Sequence, residues 1–519
     1  MEKSIKKNTV WKMLLNIFNI IIPIITGPYL ARTLDVYLYG EYNRALSVVA
    51  FLVPFAGCGI YNYGIREVSK VRNNPEKISK VFSVLFCVGA GSTVSVLIFY
   101  FIYVFNAIEL ELVPVYAALS LQLLACMFWV EYMNEAFENY SFILIKTVLI
   151  RLVNIILILL IVRRPGDILK YAIIVSCIQL LNYLISFIYI KTRVRFIKVS
   201  LADIKDRLKA LLVMFVLMNA GMLYTYLDKL FLSVFSKGVY VSYYTFSQAI
   251  INILTGVINA IILVTIPRLS LYLGENKKED YQLLLRKSSG LFYMLSIPVC
   301  LGFFVLSQSI MYIYGGSNYL GAGVTFGLFS LRMLVWMVDY TSANQVLFIY
   351  GKEKWLTKLY LIFGIGNLIV KSILAFGGVL NAETAIVSTA CVEIMIVVIE
   401  QYLIKTKLDS SITILKGRYW KYLIFSILFI PIERVFRHIF QVEYKFNVNF
   451  FFYLGCTISI CAIYYFIVLF IRKDESFIYA LSMVKENKLF KKVCKVINKE
   501  KTTDIRKTKE KKRNGDVIL

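Results

Sequence analysis

Histidine, cysteine and acid are what this chain has least of, and each shortage removes a class of chemistry. The single histidine, His438, stands near the end of a late apolar stretch with no cysteine or carboxylate cluster around it, which argues against metal ligation and acid/base work. Nine cysteines are strewn singly through apolar runs, as at Cys58, Cys87, Cys177 and Cys391, and the closest pair, Cys456 and Cys461, lacks metal-ligand spacing. They read as small apolar side chains, so neither a metal nor a cofactor is expected. A Gly-x-x-x-x-Gly-Lys-Ser/Thr loop is absent, which argues against direct ATP hydrolysis. Charged residues make up only 17% of the chain against 59% hydrophobic and 15% aromatic, with a mean hydropathy of +0.70, far outside soluble globular usage. Acids are outnumbered 32 to 58 by lysine and arginine, leaving a net charge of +26. That excess lies between apolar runs and in a C-terminal tail rather than on a globular face, which points away from nucleic acid and toward anionic lipid headgroups and an anionic substrate.

What is present is a series of long apolar runs. A membrane helix needs roughly 20 mostly apolar residues. On that length the chain divides into fourteen spans, at about 10–32, 43–64, 81–105, 112–131, 142–162, 168–190, 210–234, 243–267, 289–314, 323–349, 356–377, 383–404, 420–437 and 450–471. The expected fold class is therefore all-α, polytopic and membrane-embedded. The first span is broken by Pro23 and Pro28 and has no small-residue cleavage site after it, so it is expected to stay as a membrane helix rather than leave as a signal peptide.

Alternate connections carry the lysine and arginine, among them Arg66 to Lys80, Lys191 to Lys209, Lys277 to Lys287, Lys352 to Lys358 and Lys405 to Arg418, which places them and both termini in the cytoplasm. Arg163 and Arg164, in an outer connection, go against this pattern. The longest basic connection falls after the sixth span. It suggests an N-terminal lobe over 1–190, a linker over 191–209, a C-terminal lobe over 210–405, a further helix pair over 406–471 and a basic cytoplasmic tail over 472–519. In that tail Phe477, Leu481, Val484, Val493 and Val496 recur at helical spacing among lysines, as in a helix lying on an anionic leaflet; a solvated tail is the alternative.

Polar residues inside the spans mark candidate sites. Asn16, Asn19, Pro23 and Thr26 share one face of the first span, with Arg32 and Arg44 adding positive charge at its rim. This region ends in a basic hairpin at Gly64-Ile-Arg-Glu-Val-Ser-Lys70. Ionisable residues within spans are Lys146 and Arg151 in the fifth, Asp228 and Lys229 in the seventh, Arg332 and Asp339 in the tenth, Lys371 in the eleventh and Glu393 in the twelfth. Arg332, Trp336, Asp339 and Ser342 follow at steps of four, three and three, one continuous helix face; Gln248, Asn252, Thr255 and Asn259 repeat the device in the eighth span. Both faces are expected to line a cavity. Either the charges pair between helices and hold the bundle together, or the bases face an anionic ligand, for which arginine's fork suits phosphate. The acids Asp228, Asp339 and Glu393 are the candidates for ion coupling.

The strings Pro28-Tyr-Leu-Ala-Arg-Thr-Leu, Tyr39-Gly-Glu-Tyr, Ala45-Leu-Ser and Gly59-Ile-Tyr-Asn-Tyr-Gly-Ile-Arg-Glu-Val-Ser-Lys-Val-Arg resemble the N-terminal signature of bacterial Wzx-type polysaccharide flippases. These form the oligosaccharide-lipid branch of the multidrug/oligosaccharide-lipid/polysaccharide exporter superfamily. Similar strings recur at Gly274-Glu-Asn-Lys-Lys-Glu-Asp-Tyr, Tyr314-Gly-Gly-Ser-Asn-Tyr319 and Asn344-Gln-Val-Leu. The resemblance implies two six-helix lobes around a cationic lumen, no enzymatic activity, and transport of undecaprenyl-diphosphate-linked oligosaccharide across the bacterial inner membrane. Arg32, Arg44, Lys146, Arg151, Lys229, Arg332 and Lys371 would hold the diphosphate; Asn16, Asn19, Gln248, Asn252, Asn259 and Trp336 would meet the sugars. A polymerase and other polysaccharide-assembly membrane proteins are implied as partners. A peptidoglycan-precursor flippase shares these features and stays open as an alternative. A cation-coupled drug antiporter would be expected to carry an acid in its first span, where this chain has none before Asp35.

Overall fold

The computed structural model describes residues 23–219, 227–408, 412, 414 and 418–486, and every regular element among them is helical. The all-α expectation holds. Eleven helical stretches in these residues are long and apolar enough to cross a bilayer: Val36–Lys70, Pro75–Ala107, Val113–Ala136, Tyr140–Ile161, Ile168–Lys191, Gly238–Gly274, Lys278–Val305, Ala322–Leu347, Glu353–Phe376, Ala382–Leu408 and Val448–Ile471. Their outer faces stay apolar: Phe99, Phe105, Ile373, Phe376 and Val398 are each at least 60% exposed, a surface that is costly in water and natural in hydrocarbon.

The other three of the fourteen expected spans differ in form. Of the first, residues 23–33 are helical, and the rest lies outside the described residues, as do Asn16 and Asn19. The seventh is represented by Leu201–Asn219 and Leu227–Phe235, on either side of residues outside the description. The thirteenth is two helices, Arg418–Ile427 and Phe429–Ile439. Pro431 accounts for that break, since it has no N–H to give the Ile427 carbonyl and its ring would collide with it. The ninth span likewise starts earlier than expected and is split at Leu306 into Lys278–Val305 and Ser307–Gly315.

One local expectation is corrected. The basic segment after the second span is no hairpin but the amphipathic helix Ile60–Lys70, burying Ile60, Tyr63, Gly64 and Val68. Gly64 serves packing rather than a turn: a Cβ there would lie 2.5 Å from the Tyr132 ring. The chain changes direction at Cys58 and Gly59, both in the left-handed region (φ 44° and 69°). Of the proposed tail helix, Glu475–Glu486 is helical, its entry capped by Asp474, whose carboxylate accepts from the Ser476 and Phe477 amides; Val493 and Val496 lie outside the described residues.

The chain forms two compact units, Met1–Asn259 with Phe303–Ser411, and Ala260–Gly302 with Ile412–Leu519. In the first, Val113–Ala125 packs on Ile168–Lys191, Ala322–Ser342 on Ala382–Leu403, and Val36–Gly57 on Leu227–Phe235. In the second, the Tyr465 hydroxyl donates to the Met294 carbonyl at 2.8 Å and Tyr293 meets Tyr419 edge to face.

Candidate functional site

Two helix faces that the sequence marks as polar come together in the first unit. Gly238–Leu263 supplies Gln248, Ile251, Asn252 and Thr255; Ala322–Ser342 supplies Phe329, Arg332, Met333, Trp336 and Asp339. Tyr360 and Glu393 from the next two helices complete a cavity of about 340 Å³. Periodicity explains the convergence: residues three and four apart share a face, so each polar stripe presents one wall while its apolar flanks pack. Trp336 stacks on Tyr340 with ring centroids 4.9 Å apart, which fixes the indole at the wall. Asn259 and Ser342 continue the two stripes but lie outside the lining; Asn259 is half-buried and Ser342 is held by the Gln401 amide at 2.7 Å.

Most of the candidate bases have acid partners. Arg332 forks onto Glu393, Nε to Oε2 at 2.9 Å and a terminal nitrogen to Oε1 at 2.6 Å. The wall of this cavity is thus polar, with its arginine already occupied, rather than strongly cationic. Lys371 is completely buried and bound to Asp228, itself 1% exposed; Thr389 and Tyr244 donate to the same carboxylate at 2.8 and 3.0 Å. Neither member of that pair reaches the cavity wall. Lys146 is bound to Glu131 at 3.0 Å and Ser186 at 2.6 Å among helices of the N-terminal half. Arg44 pairs with Glu41 at 3.1 Å and donates to the carbonyls of Ser233 and Ser236. Arg32 donates to the Ile313 carbonyl.

Arg151 and Lys229, both half-buried, make no ion pair among the described residues. The partners Glu41, Glu131 and Thr389 escaped sequence reasoning because each lies next to its base only in space. Tyr360 was missed for want of any polar stripe of its own. Glu400, fully buried, could have been found: it stands seven residues after Glu393, as Asp339 stands seven after Arg332, so both helices repeat on one face.

Apolar-faced helices crossing a bilayer around a walled polar chamber define an all-α, multi-pass membrane protein. By sequence, the chain belongs to the polysaccharide biosynthesis protein family, whose pattern matches residues 5–273. The family resemblance read from the sequence is thereby borne out. Two curated proteins named "Putative O-antigen transporter" are similar to it. The one from Shigella dysenteriae is 21% identical, over 70% of this chain and 91% of its own length. The one from Escherichia coli K12 is 20% identical, over 71% and 89%. Among solved structures, the lipid II flippase MurJ in an inward closed conformation superposes with a TM-score of 0.70 at 15% identity, covering 90% of this chain and 99% of that one, which establishes a shared fold.

Proposed function

We propose that the protein moves undecaprenyl-diphosphate-linked oligosaccharide repeat units from the cytoplasmic to the outer leaflet of the bacterial cytoplasmic membrane. It acts as an ion-gradient-coupled carrier, not an enzyme, with both termini in the cytoplasm, and its cargo is destined for capsule, O-antigen or exopolysaccharide. Family membership and the names of the relatives support this reading. The observation that carries it is the cavity wall: amides at Gln248 and Asn252, hydroxyls at Thr255 and Tyr360 and the flat face of Trp336 are the groups that meet sugar hydroxyls and sugar ring faces. Its 340 Å³ falls in the usual range of small-ligand sites, roughly 300–1,000 Å³, so it receives part of the headgroup while the lipid tail stays in the bilayer.

The test is a leaflet assay in reconstituted vesicles, scoring protected and exposed lipid-diphosphate oligosaccharide. Trp336→Ala should slow translocation about tenfold, the equivalent of one lost aromatic contact of about 1–1.5 kcal/mol. Wild-type rates in that variant would remove the chamber from the sugar path.

The diphosphate is assigned to Arg151 and Lys229, since Arg332 is engaged by Glu393. Arg151→Ala should melt within about 0.5 kcal/mol of wild type and lose translocation, whereas Arg332→Ala strands Glu393 and should lose about 3–5 kcal/mol of stability. Full transport by Arg151→Ala would sink its diphosphate role.

A further inference from the structure

Glu400 is 0% exposed, and among the described residues neither of its carboxylate oxygens meets a hydrogen-bond donor. The group it faces is another acid, Asp339, whose Oδ1 accepts from the Tyr360 hydroxyl at 3.0 Å and whose side chain lines the cavity. Register explains the meeting. The helices Ala322–Ser342 and Ala382–Leu403 pack against each other, and in one layer Arg332 meets Glu393; one heptad on, about 10 Å along the axis, Asp339 and Glu400 occupy the equivalent positions. Where the first layer has a base against an acid, the second has acid against acid.

Beside a fully buried carboxylate a second negative charge with no counter-charge is costly, so such a pair keeps one proton that a lone carboxyl would lose. The groups facing Glu400 supply none: Asp339 comes from Ala322–Ser342 and Tyr360 from Glu353–Phe376. The Leu227–Phe235 helix, also packed on this one, presents Asp228 to Thr389, three turns away. Gln401, next to Glu400, gives its amide to Ser342 instead. Glu400 forms no ion pair among the described residues. Both acid-bearing helices also pass into a π-helical turn just beyond the pair, at Ala343–Leu347 and Ile404–Leu408, a distortion that recurs at functional sites.

We propose that Asp339 and Glu400 form a proton-binding site in which the two carboxyl groups hold one proton between them. On release the proton passes to cavity water by way of Asp339, leaving both carboxylates ionised, and uptake reverses this. Asp339 is the exchanging member because it reaches the cavity, and Glu400 is the buried member that makes the second negative charge costly. Use of this site to drive the carrier rests on the transport reading above; proton binding itself does not.

The experiment is infrared difference spectroscopy of the purified full chain in lipid nanodiscs, stepped from mildly acidic to alkaline pH, with proton release counted in parallel. Wild type should show a protonated carboxyl band at neutral pH that disappears on alkalinisation, with release of about one proton per chain more than Glu400→Gln releases over the same step. Glu400→Gln should abolish the band, because Asp339 then faces an amide and the Tyr360 hydroxyl and ionises without a rival. Absence of any protonated carboxyl in wild type at neutral pH would overturn the proposal without recourse to a variant. A band lost on adding sodium at fixed pH would overturn it in favour of a metal cation. A band present in wild type and unchanged in Glu400→Gln would place the proton elsewhere. A confirmed band in a protein that fails the leaflet assay leaves the site standing and the transport reading refuted.

Discussion

Lys371→Met should cost the protein about 3–5 kcal/mol, as large a single-residue stability loss as any expected in the first unit. The ammonium is completely buried, and its removal leaves Asp228, 1% exposed, with only the hydroxyls of Tyr244 and Thr389 to hold a full negative charge. Hydrogen bonds to a carboxylate contribute about 1.5–3 kcal/mol each at best, less than the charge needs in that setting. Folded protein recovered in detergent and its melting temperature both fall. The companion variant separates charge from packing. Asp228→Asn with Lys371→Met removes both charges together and should regain most of the loss, since a buried pair replaced as a unit is often neutral. A Lys371→Met protein that melts with wild type would show that the pair contributes nothing to the fold. A double variant as unstable as the single one would assign the loss to packing instead of charge.

Eleven of the apolar runs became helices close to where hydropathy put them, because a bilayer span must satisfy its own backbone and length alone marks it. The two cavity walls were legible for a related reason: polar side chains at steps of three and four must share a face, and a polar face within a span needs something other than lipid beside it. Pairing was not legible. Arg332 and Glu393 are 61 residues apart and Lys371 and Asp228 143, and nothing local says which acid a base will meet. The excess of bases over acids suggested more bases awaiting a ligand than the structure leaves, since Arg44, Lys146, Arg332 and Lys371 all have acid partners. Ile60–Lys70 was misjudged because its glycine and its charges read as a turn, while the contact that requires the glycine, the Tyr132 ring, is some 70 residues away in sequence.

A second large effect is expected at Gly40. A Cβ built there would collide with the Gly238 carbonyl oxygen and carbon, so backbone, not a flexible side-chain tip, blocks any substitution. The close approach belongs to a longer seam between residues of the N-terminal half and the segments around 233–246 and 313–319. Tyr39 stacks on Phe246 at 4.9 Å, the Ser242 hydroxyl donates to the Val36 carbonyl at 3.0 Å, Arg44 reaches the Ser233 and Ser236 carbonyls, and Arg32 reaches that of Ile313. In the orientation proposed above this seam lies on the outer side, where a carrier closed to the outside must be tight. Overpacking costs about 1–3 kcal/mol, which at 1.4 kcal/mol per factor of ten shifts Gly40→Ala about 5- to 150-fold away from the closed arrangement. Translocation should fall by a similar factor, since a carrier that cannot close this end cannot reload from the other. Opening is read independently in a cysteine-free background: Ser233→Cys, at a residue 2% exposed in the closed seam, should react with a membrane-impermeant thiol reagent much faster when combined with Gly40→Ala. Equal labelling with and without Gly40→Ala, together with undiminished translocation, would mean that the seam opens freely and that this glycine contact does not govern it.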